Sequence, residues 1–183
     1  MKLKSIKKLI LILILIIFAM NITNIIKFVF PIKHKDYVME YSKKYKLDVY
    51  WVLAVIKAES NFRHDAVSNK DAQGLMQLTP ETAKWVAERM GMKDFNIDML
   101  KDPKINIEMG CWYLNDLKTE FKNNIDLVLA AYNGGRGNVQ KWLKNQEHSK
   151  DGKNLNNIPF KETDKYVKKV KLNYKIYKFL YGK

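Results

Sequence analysis

The sequence contains a single cysteine, Cys111, so no disulfide bond can form within the chain. Cys111 lies in the stretch MGCWYLNDL among apolar residues with helical spacing, which predicts a small buried side chain and not a nucleophile. The three histidines, His34, His64 and His148, are too scattered to form a ligand pair on one helix face. We therefore expect neither a metal site nor a cofactor.

Arginine is as scarce as histidine, with only Arg63, Arg89 and Arg136, although 33 basic residues oppose 19 acidic ones and give a formal charge of +14. Base readout and bidentate phosphate binding favour arginine, and no dense basic run follows residue 31. We therefore expect no nucleic-acid partner. The excess of lysine predicts attraction to another polyanion, such as anionic lipid or an anionic cell-wall polymer.

Proline and glycine are also scarce, with four and eight residues, which leaves room for long helices. Asp48, Thr79 before Pro80, and Asp102 before Pro103 are helix-cap signals. No alternating strand of five or more residues is visible, so the predicted fold class is all-α. The periodic segments cover about 36–45, 49–60, 80–90, 103–121, 125–133, 136–146 and 162–181.

The one long apolar run lies at the N-terminus, where the lysine-rich MKLKSIKK precedes LILILIIFAM, a pattern typical of an export signal. Leu9 to Phe30 is long enough to cross a bilayer, although Asn21, Asn24 and Lys27 make its second half less apolar. Because no small-x-small cleavage motif follows, we predict an uncleaved anchor over residues 1–31, with secretion after cleavage as the alternative. Four lysines would stay on the inner side: Lys2, Lys4, Lys7 and Lys8.

Either alternative places residues 32–183 outside the cytoplasm. This region has the length of one ordinary domain, and it contains no internal repeat or low-complexity linker. We therefore predict a single domain there. Its stretch 61–79 is polar, irregular and long for a connection, as functional loops often are.

The stretch YWVLAVIKAESNF puts a carboxylate on the apolar side of a predicted helix. At about 100° per residue, Glu59 projects between Val52 and Val55, whereas Lys57 points the opposite way. Near a helix end, a glutamate can swing out to solvent. A carboxyl that is desolvated by apolar neighbours instead holds its proton near neutral pH, as a general acid must. The position of Glu59 on the helix leaves both interpretations open.

Three further motifs follow: AQGLMQLTPETA, LAAYNGGRGNV and NNIPFKETDKYVKKV. Taken singly, each has a structural explanation, namely a turn into a helix, an asparagine at a helix end, and a glutamate in a first helical turn. Their candidate functional residues are Met76, Gln77, Tyr132, Asn133, Glu162 and Tyr166.

In this order the motifs resemble the soluble lytic transglycosylase (SLT) family, which is related to goose-type lysozyme. The family shows a helix ending in Glu-Ser, then Gly-Leu-Met-Gln, Ala-Tyr-Asn with glycines, Ile-Pro, Glu-Thr and Tyr-Val. The resemblance covers roughly residues 36–170, with small departures at Gly135, Arg136 and Asp164. The matching residues are Glu59-Ser60, Gly74 to Gln77, Ala131 to Gly134, Ile158-Pro159, Glu162-Thr163 and Tyr166-Val167.

The resemblance implies an all-α, lysozyme-like domain with a glycan-binding cleft. It implies cleavage of the β-1,4 bond between N-acetylmuramic acid and N-acetylglucosamine in peptidoglycan, with a 1,6-anhydromuramic acid end and no metal. Glu59 would act as acid and then as base. The expected cleft-lining residues are Ser60, Met76, Gln77, Tyr132 and Asn133, and Glu162 and Tyr166 would support the far wall or bind sugar substituents.

The expected partners are peptidoglycan glycan strands and, through the N-terminal segment, a membrane, with the chain acting as a monomer. Two alternatives remain open for the function. One is a muramidase, which would use water on the same fold. The other is a cell-wall-binding protein without catalytic activity.

Overall fold

The structure is a computed structural model that describes residues 3–182, and for residues 3–5, 19 and 20 it describes the backbone alone. Met1, Lys2 and Lys183 lie outside the described residues. The placement predicted for Lys2 and the outer ends of the regions 1–31 and 32–183 therefore stay predictions.

Helices account for most of the described chain, and a short 3₁₀ helix, Ile97–Lys101, precedes one of them. Within residues 3–182, extended pairing is limited to isolated bridges from Gln73 to Val67 and to Leu78. The predicted all-α class is therefore confirmed. The α-helices are α1 Leu3–Val29, α2 Lys35–Lys44, α3 Val49–Glu59, α4 Pro80–Arg89, α5 Pro103–Glu120, α6 Ile125–Gly134, α7 Arg136–Lys144 and α8 Lys161–Tyr181.

Predicted cap residues start three of these helices. Asp48, Thr79 and Asp102 each accept a hydrogen bond from a backbone N–H of the first turn, at 2.8, 3.3 and 2.7 Å. Each cap satisfies a donor that the helix itself leaves unpaired. The helices begin directly after these caps, at Val49, Pro80 and Pro103, which confirms the predicted starts.

The helix α3 is the centre of the domain and packs chiefly against α8, with α2 on another side. It is buried on nearly every side, which is more than the single apolar stripe that the sequence predicts. Between Trp51 and Ala58, Lys57 is the one half-buried residue, and its Nζ donates to the Val29 carbonyl at 2.6 Å. The buried residues are Trp51, Val52, Leu53, Ala54, Val55, Ile56 and Ala58.

The N-terminal helix α1 is apolar and exposed, and each side chain from Leu9 to Phe18 has at least 50% of its surface accessible. Among the described residues, no single helix is both long and apolar enough to cross a membrane. Two segments, Ile6–Phe18 and Asn21–Val29, pass the same criteria together and meet at a bend of 54°. The predicted membrane anchor therefore stays a prediction.

The chain just after α1 is fastened to the C-terminal end of α8. The Tyr181 hydroxyl donates to the Phe30 carbonyl at 2.8 Å, and the Tyr177 hydroxyl donates to the Pro31 carbonyl at 3.0 Å. The rings of Phe30 and Tyr177 meet edge to face with centroids 5.6 Å apart. The end of α1 is thus held against the domain by specific contacts.

The loop between α3 and α4 rests on α5 through Asn106, which is fully buried. The Asn106 side-chain amide donates to the carbonyls of Gln73 and Leu100, both at 2.9 Å, and its oxygen accepts from the Met76 N–H at 2.7 Å. Gly74 has φ 79°, and a Cβ there would lie 2.2 Å from Asn106 Nδ2. Only glycine allows the loop this conformation and this close approach.

Gly110 on α5 makes a similar approach to Met76. A Cβ added at Gly110 would lie 2.3 Å from Met76 Sδ and 2.9 Å from Met76 Cβ, so a sulfur movement alone cannot relieve the clash. We expect Gly110→Ala to lower the free energy of unfolding by about 1–3 kcal/mol through overpacking. Gly137→Ala is the matched control, because nothing lies within 4 Å of the added Cβ.

The control should be neutral or stabilising by up to about 1 kcal/mol, since alanine favours the helix. Urea denaturation of both variants measures the difference. Equal stability of the two variants would show that Met76 is not held as tightly as described.

Candidate active site

Glu59 is the last residue of α3, and the residues after it turn the chain sharply away. The Ser60 hydroxyl donates to the Leu75 carbonyl at 2.8 Å, which joins the helix end to the following loop. Asn61 and Phe62 both have left-handed backbone angles, with φ 53° and 63°, and the Phe62 side chain is buried. These features fix Glu59 where the helix meets the loop.

A cavity of about 380 Å³ opens beside Glu59 and is formed by α3, the loop before α4, α6 and α8. Five of the eight predicted site residues line it: Glu59, Gln77, Tyr132, Asn133 and Glu162. The loop and the start of α4 contribute Ser68, Asn69, Lys70, Ala72 and Thr79. The structure thus brings together residues from four separated stretches of the sequence.

Three predicted site residues lie behind the wall of this cavity. Ser60, Met76 and Tyr166 have only 3%, 0% and 7% of their surface exposed. Ser60 uses its hydroxyl to bind the backbone, and Met76 packs on Gly110. The expectation that the side chains of Ser60 and Met76 line the cleft is therefore corrected: they support its wall.

Burial raises the pKa of Glu59 to about 7, and the negative charge of Glu162 acts in the same direction. The Tyr166 hydroxyl and the positive charge of Lys169 oppose these effects by favouring the ionised carboxylate. The side chain stays half-exposed on its cavity side, so a ligand can reach it. Of the two interpretations left open by the sequence, this environment supports the desolvated acid.

Two tyrosines flank the Glu59 carboxyl: Tyr166, which is buried, and Tyr132, which is half-buried. The Tyr132 hydroxyl donates to the Met76 carbonyl at 2.7 Å, and Tyr166 has a buried hydroxyl with no hydrogen-bond partner of good geometry among the described residues. Burial, followed by the charge of Glu59, raises the pKa of both phenols well above the ordinary range. Both therefore remain neutral, and Tyr166 is available to donate to Glu59 when Glu59 ionises.

Two lysines near Glu59 were not predicted from the sequence. Lys169 Nζ donates to the Ala58 carbonyl at 2.7 Å, at the end of α3. Lys70 Nζ lies 3.7 Å from Glu162 Oε2 at the cavity, and both side chains are largely exposed. Lys169 follows Tyr166 by three residues, so the shared helix face was a usable signal, and Lys70 falls in the loop already singled out by its length.

The described residues contain no group of three or more His, Cys, Asp or Glu side chains that could hold a metal ion. Cys111 is fully buried, as predicted, and burial raises the pKa of its thiol well above the ordinary value. A thiol that stays protonated is a packing residue and a poor nucleophile.

Comparison with known proteins identifies the family. The transglycosylase SLT domain family matches residues 36–155. The chain belongs to this family. The resemblance carried by the sequence motifs is thereby confirmed.

Individual relatives support the same family assignment. The soluble lytic murein transglycosylase of Salmonella typhimurium is 33% identical over 77% of this chain and 22% of its own length. The membrane-bound lytic murein transglycosylase C of Shigella sonnei is 36% identical over 63% of this chain and 34% of its own length. The crystal structure of the 70 kDa soluble lytic transglycosylase from Escherichia coli has a TM-score of 0.76 at 29% identity, covering 86% of this chain and 26% of that one.

This SLT-family chain therefore spans about a quarter of the length of the soluble relatives that it matches. The matched region includes α3, the loop before α4, and α6, which carry most of the cavity lining. Glu162 and Tyr166 lie beyond residue 155, on α8.

The raised pKa of Glu59 predicts a specific pH dependence of stability. In the unfolded chain a glutamate has a pKa of about 4.3, so between that value and about 7 the folded protein binds more protons than the unfolded one. The stability contribution of protonated Glu59 is therefore fully present below the lower value and is lost as pH rises through the higher one. We expect Glu59→Gln to become progressively more stable than the unchanged protein across this window.

Denaturant unfolding of both proteins from about pH 4 to about pH 8 measures the difference in free energy. A difference that does not change with pH would mean that the carboxyl is solvated in the folded state.

Proposed function

We propose that the protein is a peptidoglycan lytic transglycosylase. It cleaves the β-1,4 bond between N-acetylmuramic acid and N-acetylglucosamine and leaves a 1,6-anhydromuramic acid end. The observation that carries this proposal is Glu59, a half-buried carboxyl with a pKa raised to about 7, in the cavity of an SLT-family domain. The names of the similar proteins, which are lytic murein transglycosylases, support the same activity.

Glu59 begins the reaction as a general acid. Its protonated carboxyl donates a proton to the glycosidic oxygen, and the bond from that oxygen to C1 of muramic acid breaks. A pKa of about 7 suits this step because the carboxyl is still substantially protonated near neutral pH. The acetamido group of the muramic acid stabilises the positive charge that develops at C1.

Glu59 then acts as a general base. Its carboxylate takes the proton of the muramic 6-hydroxyl, whose oxygen attacks C1 and closes the anhydro ring. Proton and charge are balanced after the second step, and Glu59 is again protonated. Between the two steps, Tyr166 and Lys169 stabilise the ionised carboxylate of Glu59.

The substrate lies along the cavity beside Glu59 and contacts Gln77, Asn133 and Glu162, which all line it. The Gln77 amide nitrogen donates to the Ala66 and Gly74 carbonyls, both at 3.0 Å, so the side chain is held in one orientation. Tyr132 also forms part of the cavity wall. Because the Gln77 side chain is already held before the substrate binds, binding costs little of its side-chain entropy.

A muramidase is the second candidate, and Glu162 is the residue that favours it. Most glycosidases use two carboxylates, and Glu162 is the other acid in the cavity lining. Its side chain is 74% exposed and pairs with Lys70, which suits a surface substrate contact better than a desolvated catalytic base. A wall-binding protein without activity would need no raised pKa at Glu59.

We propose that the domain works outside the cytoplasm as a monomer, anchored by the segment 1–31. The exposed apolar surface of α1 supports the anchor, and a relative is named as membrane-bound. The excess of lysine suits an anionic cell wall or membrane surface and not a nucleic-acid partner.

Product analysis tests the proposed reaction. Sacculi digested with the full chain should release muropeptides whose ends are 1,6-anhydromuramic acid, and Glu59→Gln should lower release by roughly 10²- to 10⁴-fold. Mass spectrometry in ¹⁸O-labelled water separates the candidates, since an anhydro end incorporates no solvent oxygen and a hydrolysed end does.

Glu162→Gln is the matched carboxyl-to-amide control and should keep the anhydro product. Labelled reducing ends would establish the muramidase instead. Equal muropeptide release by Glu59→Gln and the unchanged protein would show that Glu59 is not the catalytic acid.

The neighbours of Glu59 predict opposite shifts of the pH–rate profile. The alkaline limb of kcat/KM reports the loss of the proton from the acid in the free enzyme. Tyr166→Phe and Lys169→Met each remove a group that lowers the pKa of Glu59, so the limb should move to higher pH. Glu162→Gln removes a group that raises it, so the limb should move to lower pH.

Measuring kcat/KM against pH for the three variants on the same glycan substrate tests these shifts. If all three variants moved the limb in one direction, or left it in place, a group other than Glu59 would control it.

A further inference from the structure

The solvent-facing side of α8 carries apolar side chains where polar ones would be expected. Leu172 is 58% exposed and Phe179 is 82% exposed, and Ile176 between them is half-exposed. Spacings of four and three residues place all three on one face of the helix. We call these three residues the α8 ridge.

The α8 ridge lies opposite the face that holds the helix on the domain. That inner face includes Val170, Asn173 and Tyr177, which are buried against the rest of the domain. No described part of the chain covers Phe179, since most of its surface is accessible. Exposed apolar residues in register on one face are typical of an interaction surface.

Lysines border the α8 ridge. Lys165, Lys168 and Lys175 are exposed and, at about 100° per residue, project on the same side of the helix as the ridge. Lys168 also pairs with Asp164 at 2.7 Å, an exposed contact that holds the lysine weakly. A row of apolar side chains among lysines is the pattern of helices that lie at the surface of an anionic bilayer.

The end of α8 that carries Phe179 is also the end that meets α1, which favours a bilayer as the partner. Tyr181, two residues after Phe179, donates to the Phe30 carbonyl, and Lys27 Nζ lies 5.7 Å from the centre of the Tyr181 ring. Tyr181 projects on the side of α8 opposite Phe179, so the exposed apolar helix α1 ends at the same end of α8 as Phe179 but on the other side of the helix. Any membrane that takes up α1 lies close to this end of α8.

The α8 ridge is also separate from the cavity. Glu162, which lines the cavity, precedes Leu172 by ten residues, or about 15 Å along the helix. A surface that covered Leu172 and Phe179 would leave the Glu59 side of the domain open to a glycan strand.

We propose that the α8 ridge docks on the surface of an anionic membrane, with Phe179 and Leu172 inserted among the headgroups and the bordering lysines facing anionic lipid. The contact adds a second attachment to the N-terminal anchor proposed above. It fixes the orientation of the domain, because two attachment points restrict rotation that a single helix would allow.

Depth-dependent fluorescence quenching tests the docking with the full chain. Cys111→Ala removes the buried thiol, and single cysteines are then introduced by Phe179→Cys, Ile14→Cys and Lys141→Cys and labelled with one small fluorophore. Ile14 on α1 reports the anchor, and Lys141 is an exposed position on α7, away from the α8 ridge. The proteins are placed in vesicles containing roughly one third phosphatidylglycerol and, in separate samples, lipids that carry a nitroxide near the headgroup or within the acyl chain.

We expect quenching at residue 179 to be at least about threefold stronger than at residue 141, and to weaken in pure phosphatidylcholine. Quenching at 14 with residue 179 no different from 141 would overturn the docking while keeping the anchor. Quenching at 179 without quenching at 14 would support docking and contradict the anchor. Leu172→Cys, labelled in the same way, controls for a label that disturbs the surface around it. Its quenching should change in parallel with the quenching at residue 179 in every lipid mixture.

Discussion

The Glu59 carboxyl is desolvated by the same packing that holds the domain together. Because α3 is buried on nearly every side, its last residue lies at the boundary between the core and an open cavity. The cost of keeping a charge there raises the pKa of Glu59 to about 7. Tyr166 and Lys169 limit that rise, so the carboxyl can both give up and regain a proton near neutral pH.

The other cavity wall depends on contacts that are remote from the chemistry. Asn106 holds the backbone from Gln73 to Met76 by hydrogen bonds, and Gly110 leaves room for the Met76 side chain. The Met76 carbonyl in turn accepts from Tyr132, which lines the cavity. One glycine and one buried amide on α5 therefore help to position a tyrosine of α6.

Local signals explain what could be predicted from the sequence. Caps such as Asp48 and Thr79, with helical periodicity, predicted the seven domain helices to within about two residues at each end. Glu59 could be singled out because it sits on the apolar side of one helix, and the motif resemblance then assigned it the role of the acid. Asn106 could not, because its role comes from contacts with residues distant in sequence. Lys169 was missed although it shares a helix face with Tyr166. Met76 was misplaced for a related reason: the motif identifies a loop but not which of its side chains turns into the core.

A direct titration of the Glu59 carboxyl tests the central claim. In the full chain, ¹³C-labelled glutamate gives side-chain carboxyl signals whose chemical shift follows ionisation, and the signal absent in Glu59→Gln identifies the residue. Without substrate, its pKa should be about 7. A pKa of about 4.3, the value of a solvated glutamate, would contradict the claim that packing of α3 creates the acid.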